Sequence, residues 1–194
     1  MKTFHILTTC SLLLALIYSC NQSSTQTEDA APLTREELKA SIQEMEDSVM
    51  MISSQKSTGA TLSLSQQELI NRLTAYYRVY PEDPYSADCL FKVQMVYSGL
   101  NAHRKSIAYG DTLLTKFPSY KNKHLAIESN IAALDVFLEP RDTAAIRSYY
   151  NMLLADNEYS KSKKVEIRRR LKYLALPIFE YATMNASKKS PTKK

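Results

Sequence analysis

The chain has 194 residues, which is the size of one ordinary domain. It contains only 3 Gly, which favours helix, and its 3 Cys and lack of Trp exclude a disulfide-rich framework and a tryptophan platform for carbohydrate. The formal net charge of +5 is unevenly spread, since residues 21–83 carry ten acids and five bases whereas residues 160–194 carry two acids and eleven bases.

The first residues have the pattern of an export signal. Residues 1–19 open on Lys2 and then run apolar from Leu12 to Tyr18, which is too short for a stable membrane span. The run ends in Ile17-Tyr18-Ser19-Cys20, which resembles the lipobox of bacterial lipoproteins. The resemblance implies that residues 1–19 are removed and that Cys20 is acylated, which would anchor the protein in a membrane. Ordinary secretory cleavage near Cys20 is the alternative.

The export signal indicates where the protein is located and how many cysteines remain in the mature domain. An exported, lipid-anchored protein would not meet nucleic acid, despite its basic end. Asn21 follows Cys20, where some inner-membrane lipoproteins carry Asp, and this favours the outer membrane of a bacterial cell envelope. The polar residues 20–33 lack apolar periodicity and are predicted to be a flexible tether. Only Cys89 is left in the domain, where we expect a buried, inert thiol.

The next two elements are predicted to be amphipathic helices. Thr34 and Glu37 fit a capping box, and apolar residues then follow at spacings of three and four through Ile52. Residues 53–65 are rich in Ser and Thr and are predicted to be a loop. A second helix is predicted from about Gln66 to Tyr80, where Pro81 ends it.

The Tyr80-Pro81 pair recurs as Phe117-Pro118, 37 residues later. Between them, one set of residues matches the spacing of the first helix of a tetratricopeptide repeat, and a second set matches the spacing of its second helix. The first set is Leu90, Val93, Gln94 and Tyr97, and the second is Ser106, Gly110 and Pro118. The chain therefore resembles a tetratricopeptide-repeat lipoprotein.

The same register predicts a repeat on either side. Leu69 and Leu73 fit the earlier unit, whereas Ile127 and Ala145 fit the two helices of the later one. A final helix is predicted over 162–184 with a kink at Pro177, followed by a basic disordered tail at 185–194. The expected fold is all-α, a right-handed solenoid of about three helical hairpins with a C-terminal capping helix over 34–184. A generic helical bundle is the alternative.

The resemblance also implies a binding surface. In this family the first helix of each pair lines a concave groove that holds peptides or partner segments. The groove positions carried over by register are Asp88, Phe91, Lys92, Met95, Leu125, Glu128, Ala132 and Asp135. Apolar contacts flanked by charge would suit a partner helix or an extended peptide. The alternative is that the first helix of the chain covers these residues as core.

The remaining candidates carry little sign of catalysis. No phosphate-binding loop, nucleophile elbow, metal-spaced His or Cys pair occurs, so no enzyme activity, cofactor or metal is expected. His103 is predicted in a turn and His124 at a helix start, both on the surface. A basic face of the last helix is formed by Lys164, Arg168, Arg169 and Lys172. Solvation is its simplest interpretation, and docking to an anionic membrane or an acidic partner is the functional one.

These patterns predict a non-enzymatic envelope lipoprotein that serves as a protein–protein interaction adaptor or scaffold. Envelope lipoproteins of the resembled kind include accessories to outer-membrane protein assembly and coordinators of cell-envelope processes. The expected partners are other envelope proteins, together with the membrane through Cys20. The alternative is an envelope lipoprotein that binds a peptide or glycan in the groove.

Overall fold

The fold is all-α throughout the residues that the computed structural model describes, which are 33–55 and 59–189. These residues form eight α-helices that pack mainly on their sequential neighbours. The helices are α1 (Arg35–Ser54), α2 (Gly59–Val79), α3 (Pro84–Gly99), α4 (His103–Lys116), α5 (Lys123–Ala132), α6 (Thr143–Ala155), α7 (Lys161–Lys172) and α8 (Ile178–Lys189). A π-helical segment, Ala133–Phe137, continues α5. The predicted helical class is confirmed, whereas the signal peptide, Cys20 and most of the tether lie outside the described residues.

Helix α1 begins with the predicted capping box. The Thr34 hydroxyl accepts a hydrogen bond from the Glu37 backbone N–H at 3.3 Å, and the Glu37 carboxylate accepts one from the Thr34 N–H at 2.7 Å. Both groups thereby satisfy backbone donors that the first helical turn leaves open. The apolar stripe then places Ile42 in the core, fully buried against α2 and α3. The start of α1 is therefore as predicted.

Helix α2 begins earlier than predicted. The prediction of a loop over 53–65 is wrong for its second half, because α2 begins at Gly59. The hydroxyls of Ser63 and Ser65 donate to the carbonyls of Gly59 and Thr61, at 2.9 and 3.0 Å. Such back-bonding lets Ser and Thr sit in a helix, although their propensities favour turns. The other end of α2 agrees with the prediction, since the helix stops just before Tyr80-Pro81.

The helices α3, α4 and α5 meet through buried polar groups. Gln94 on α3 donates from its amide to the Ala126 carbonyl and to Asn130 Oδ1, each at 2.9 Å. The Ser106 hydroxyl of α4 donates to the Gln94 carbonyl at 2.9 Å. Gly110 lies over this junction, where a Cβ atom would be 2.6 Å from Gln94 Nε2. Three of the residues that matched the repeat spacing, Gln94, Ser106 and Gly110, therefore lie at the junction of these three helices.

Alternate helices also contact each other in succession. Glu46 of α1 forms an ion pair with Lys92 of α3. The Gln94–Asn130 hydrogen bond joins α3 to α5. Lys163 of α7 then pairs with Glu128 of α5 at 2.7 Å. Odd-numbered helices α1, α3, α5 and α7 therefore follow one another in contact.

Tyr76 and Cys89 both lie in the core of the first half, and the burial of Cys89 agrees with its prediction. Tyr76 is fully buried, and its ring meets the Tyr85 ring edge-on with centroids 5.0 Å apart. Cys89 is a buried free thiol, and burial raises its pKa to about 12. A thiol with so high a pKa carries almost no thiolate at neutral pH, so it has little nucleophilic reactivity.

The C-terminal part contains two helices where one kinked helix was predicted. Helix α7 ends at Lys172, and α8 begins directly after Pro177, whose carbonyl accepts from the Tyr181 N–H at 3.0 Å. Proline disfavours helical geometry in the residue before it, so it starts a new helix here and does not bend a continuous one. Helix α8 also continues through Lys189, into the region predicted as disordered tail.

Candidate functional site

The predicted groove residues lie on α3, on α5 and on the π-helical segment, with very different exposure. Met95 is 45% exposed and Leu125 is 52% exposed. Their chain neighbours Gln94 and Ala126 are joined by a hydrogen bond, so both apolar side chains lie near the seam between α3 and α5. Ala132 is also exposed, near the end of α5.

The charged groove positions on α3 are already paired within the chain. Asp88 accepts a hydrogen bond from the Tyr120 hydroxyl at 2.8 Å and lies 3.2 Å from Lys121 Nζ. Lys92 pairs with Glu46 of α1. Since these charges neutralise each other, the surface beside Met95 carries little net charge of its own.

Glu128 on α5 repeats the pattern of Asp88. It accepts from the Tyr159 hydroxyl at 2.6 Å and from Lys163 Nζ at 2.7 Å. Burial alone raises the pKa of Glu128, but the hydrogen bonds from Lys163 and Tyr159 outweigh it, so the pKa lies below its ordinary value. Glu128 is therefore a carboxylate held by fixed partners at neutral pH.

Phe91 is partly covered by its surroundings. Its ring lies against the Tyr120 ring with centroids 5.7 Å apart, and the side chain is half-buried in a cluster with Leu90 and Leu113. It therefore contributes to packing as well as to the surface. The alternative expected α1 to cover the groove residues as core. Phe91 fits it in part, but the side chain that covers Phe91 is that of Tyr120.

Asp135 does not lie on an open surface, in contrast to the groove position predicted for it. Its side chain is 2% exposed and pairs with Arg170 at 3.0 Å and with Arg141. Both arginines also donate to backbone carbonyls of the turn after α7, at Leu174 and Leu176. This cluster fastens that turn to the π-helical segment, so Asp135 is structural.

Arg170 is the main buried residue that the sequence analysis missed. It is 4% exposed, on the inward side of a helix that otherwise looks basic all round. Its spacing from Ile167 and Leu174, both buried, is that of one helical face, and this spacing was the available signal.

A cavity of about 420 Å³ opens beside Asp88, at the end of the helices where the connections α2–α3 and α4–α5 meet. Its lining is mainly apolar, with three charged side chains. The lining residues are Glu82, Pro84, Ala87, Asp88, Phe117, Pro118, Ser119, Tyr120 and Lys121. Its volume falls in the range of small-molecule and side-chain pockets. Of the predicted groove residues, only Asp88 borders it.

A second cavity of about 390 Å³ has a more polar lining, from α5, α6, α7 and α8. Glu128 and Arg169, one predicted for the groove and one for the basic face, both border it. Tyr150, Tyr159 and Tyr181 supply its aromatic surface. The structure thus brings together two residues that the sequence assigned to separate surfaces.

The two histidines of the domain are engaged in contacts. His103 was predicted in a surface turn, but it is the first residue of α4 and is buried, with its ring stacked on Phe137 at 4.3 Å between centroids. His124 Nε2 lies 3.0 Å from Asp156 Oδ2 and is partly buried. Among residues 33–55 and 59–189, no cluster of His, Cys, Asp and Glu has the arrangement of a metal site.

The predicted basic face on α7 is largely exposed. Arg168, Arg169 and Lys172 are exposed, whereas Lys164 is half-buried. Lys161 is exposed as well. In the part of the chain that the structure describes, no helix is long and apolar enough to span a bilayer.

Comparisons of the chain with protein-family models, with curated proteins and with solved structures find no match.

Proposed function

We propose that this chain is a non-enzymatic interaction adaptor, built of tetratricopeptide-like helix pairs and held in a bacterial cell envelope by acylated Cys20. The observation that carries the proposal is the pair of exposed apolar side chains, Met95 and Leu125, near one seam between α3 and α5. Their charged neighbours are paired internally, so a partner helix or peptide could cover the seam without desolvating free charges.

The repeat assignment is supported by a recurring contact. A tyrosine precedes α5 and another precedes α7, and each donates from its hydroxyl to a carboxylate on the preceding odd-numbered helix. These pairs are Tyr120–Asp88 and Tyr159–Glu128. The succession of contacts among α1, α3, α5 and α7 also suits stacked helix pairs, in which the first helices form one layer.

The non-enzymatic part of the proposal is supported by what the reactive groups do. Cys89 is buried with a raised pKa, His103 is stacked on Phe137, and His124 contacts Asp156. Each is occupied by a structural role. The anchor is supported by the sequence Ile17-Tyr18-Ser19-Cys20 after an apolar run, and the residue Asn21 favours the outer membrane over the inner.

The test is a mild-detergent pull-down of the full-length protein from its own envelope, compared with the variant Met95→Asp/Leu125→Asp. We expect stoichiometric envelope proteins with the wild type and a loss of at least about tenfold with the variant, because buried charges at the centre of an interface are unfavourable. Quantitative mass spectrometry of the captured proteins is the measurement.

The matched control is Val79→Asp/Met152→Asp, which alters apolar side chains of similar exposure on α2 and α6. Capture by the control but not by the seam variant would support the adaptor. Equal capture by both variants would place the interface elsewhere, and an absence of stoichiometric partners would contradict the adaptor.

A second candidate, a peptide- or glycan-binding module, is favoured by the cavity of about 420 Å³ beside Asp88. Its apolar walls with a charged rim suit an apolar side chain of a short peptide better than a sugar. A rise in the melting temperature of the purified protein with envelope peptides, in the absence of any partner protein, would favour this candidate.

A further inference from the structure

The outward side of α7 is a continuous cationic surface. At about 100° per residue, four exposed cations lie within about 60° of Val165 around the helix axis. We call Val165 and these four cations, Lys161, Arg168, Arg169 and Lys172, the outward face of α7. The opposite side of the helix holds Ile167 and Arg170, both buried. The orientation of the face towards solvent is therefore fixed by the packing of α7.

Two cations of α7, Lys163 and Arg170, are paired with acidic residues of other elements. Lys163 pairs with Glu128 and Arg170 with Asp135, on the inward side. The four cations of the outward face form no ion pair within the described residues. Glu166 is the one carboxylate on α7, and it lies at the edge of this face. The charges of Lys161, Arg168 and Lys172 therefore have little local compensation, whereas Arg169, at the edge of the face, also borders the cavity that Glu128 lines.

The centre of the face is apolar. Val165 is 55% exposed and is surrounded by long basic side chains. A short apolar side chain within a ring of Lys and Arg suits a bilayer interface, where the methyl groups enter the headgroup region while the charged ends reach lipid phosphates.

We propose that the outward face of α7 docks on a bilayer that carries anionic phospholipid. This inference goes beyond the adaptor function, and it concerns a different surface from the α3–α5 seam. Clusters of four or more Lys and Arg next to a membrane bind anionic lipid through the surface potential. Docking would hold the domain in one orientation on the membrane, with α7 towards the lipid.

An acidic protein is the other class of partner for a basic face, and the geometry favours lipid. The cations are spread along a helix of 12 residues, about 18 Å long, and none of the four forms an ion pair with another residue of 33–55 or 59–189 that would fix its orientation. Specific recognition of a carboxylate uses oriented, bidentate arginines, whereas a laterally mobile lipid surface requires only proximity.

The experiment uses the full chain carrying Cys20→Ala, so that no acyl chain at residue 20 contributes to binding. Partitioning is measured by co-sedimentation with vesicles of phosphatidylcholine alone and with vesicles that also contain phosphatidylglycerol. The apolar leader is common to all variants, so the ratio of the two partition coefficients reports the electrostatic part. We expect strong preference for the anionic vesicles, which falls as salt is raised.

The deciding variant is Lys161→Glu/Arg168→Glu/Arg169→Glu/Lys172→Glu. Each cation near an anionic surface contributes about fivefold to partitioning, so the preference should fall by more than about a hundredfold. The matched control reverses four exposed cations on α2, α4 and α6 that form no ion pair in the described residues. These substitutions are Arg78→Glu, Arg104→Glu, Lys116→Glu and Arg147→Glu.

Loss of the preference in the first variant, with retention in the control, would support docking through α7. An equal loss in both variants would show that net charge acts alone, and it would overturn the proposal. So would retention in the first variant, or equal partitioning of the wild type into both vesicle types. If circular dichroism shows that the Glu variant is unfolded, the corresponding Gln variant decides, with the same expected direction. No other protein is present, so this result is independent of the pull-down.

Discussion

Of the three glycines, Gly110 leaves the least room for a side chain. An added Cβ would lie 2.6 Å from Gln94 Nε2 and 2.7 Å from Asn130 Oδ1. Without other contacts, the Gln94 and Asn130 side chains could rotate away from the added Cβ. They are held, however, by hydrogen bonds to each other and to the Ala126 carbonyl, so a shift would break buried polar contacts.

We predict that Gly110→Ala lowers the free energy of unfolding by about 1–3 kcal/mol, although Ala has the higher helix propensity. Denaturant unfolding followed by circular dichroism measures the change. The control is Gly99→Ala, where no atom lies within 4 Å of the added Cβ. Its effect should be neutral or stabilising, by up to about 1 kcal/mol. A stabilised Gly110→Ala variant would show that the junction is looser than the structure indicates.

Buried charged residues were the part of the site that the sequence predicted least well. Asp135 and Arg170 are 35 residues apart and pair only because α7 packs beside the π-helical segment. A charged residue taken alone is expected on a solvated surface. The pairing of these two depends on a contact between residues far apart in the chain. The spacing of Arg170 from Ile167 indicated that Arg170 lies on the buried face of the helix, but nothing in the sequence indicated that Asp135 pairs with it.

At the scale of the elements, two connecting segments are held to odd-numbered helices by tyrosine–carboxylate contacts. Tyr120 and Tyr159 are both buried, and the carboxylates they contact keep a lysine partner as well. Burial raises the pKa of both tyrosines, and the adjacent carboxylates raise it further, so both hydroxyls stay protonated as donors. Each contact thus links a connecting segment to the preceding odd-numbered helix.

We predict that Tyr120→Phe and Tyr159→Phe each lower the free energy of unfolding by about 1–2 kcal/mol, because each removes a hydrogen bond to a carboxylate. Thermal and urea unfolding would measure this loss. For comparison, Tyr77→Phe removes a half-buried hydroxyl that has no hydrogen bond in the described residues, and it should change stability by less than about 0.5 kcal/mol. Equal effects of all three substitutions would argue against a specific role for the two contacts.

Helix ends were predicted correctly where residues next to them in the sequence determine them. The capping box at Thr34 and the proline after Tyr80 set helix ends through neighbouring residues alone. The start of α2 was missed because Ser and Thr suit both turns and helices. Pro177 was recognised as a break, but whether it bends a helix or separates two depends on the packing of the turn before it.

At the scale of the whole molecule, the stability of the fold depends on the ionisation of several carboxylates. Asp156 is the strongest case, since hydrogen bonds from Lys123, the Glu158 backbone N–H and His124 hold its pKa well below the ordinary value. The pKa values of Asp83 and Glu128 are also lowered despite their burial, by a backbone N–H and by Lys163 respectively, among other partners. A lowered pKa in the folded state stabilises the fold above the unfolded-state pKa, and this stabilisation is lost as pH falls.

We predict that the free energy of unfolding falls between about pH 5 and pH 2. Asp156→Asn should lower it by about 1–2 kcal/mol at pH 7 and make the acid loss shallower, because the ionised state then no longer contributes. Urea unfolding at a series of pH values measures both effects. Glu44→Gln, at an exposed carboxylate without an ion pair in the described residues, should change stability at pH 7 by less than about 0.5 kcal/mol. An unchanged acid slope in Asp156→Asn would contradict the assignment.

The sequence by itself determined the helical class, the apolar stripes and some helix ends, such as the start of α1 and the end of α2, because these follow from contacts three and four residues apart and from caps and prolines. The resemblance to a repeat family implied that Met95 and Leu125 line a groove, with core as the open alternative, and the structure shows both exposed. Tertiary structure alone decided that Asp135 and His103 are buried, that Gln94 bonds to Asn130 across 36 residues, and that Glu128 and Arg169 share a cavity. Such contacts depend on how whole helices pack. Helical periodicity indicates which face of a helix is buried, but it does not indicate which element packs against that face.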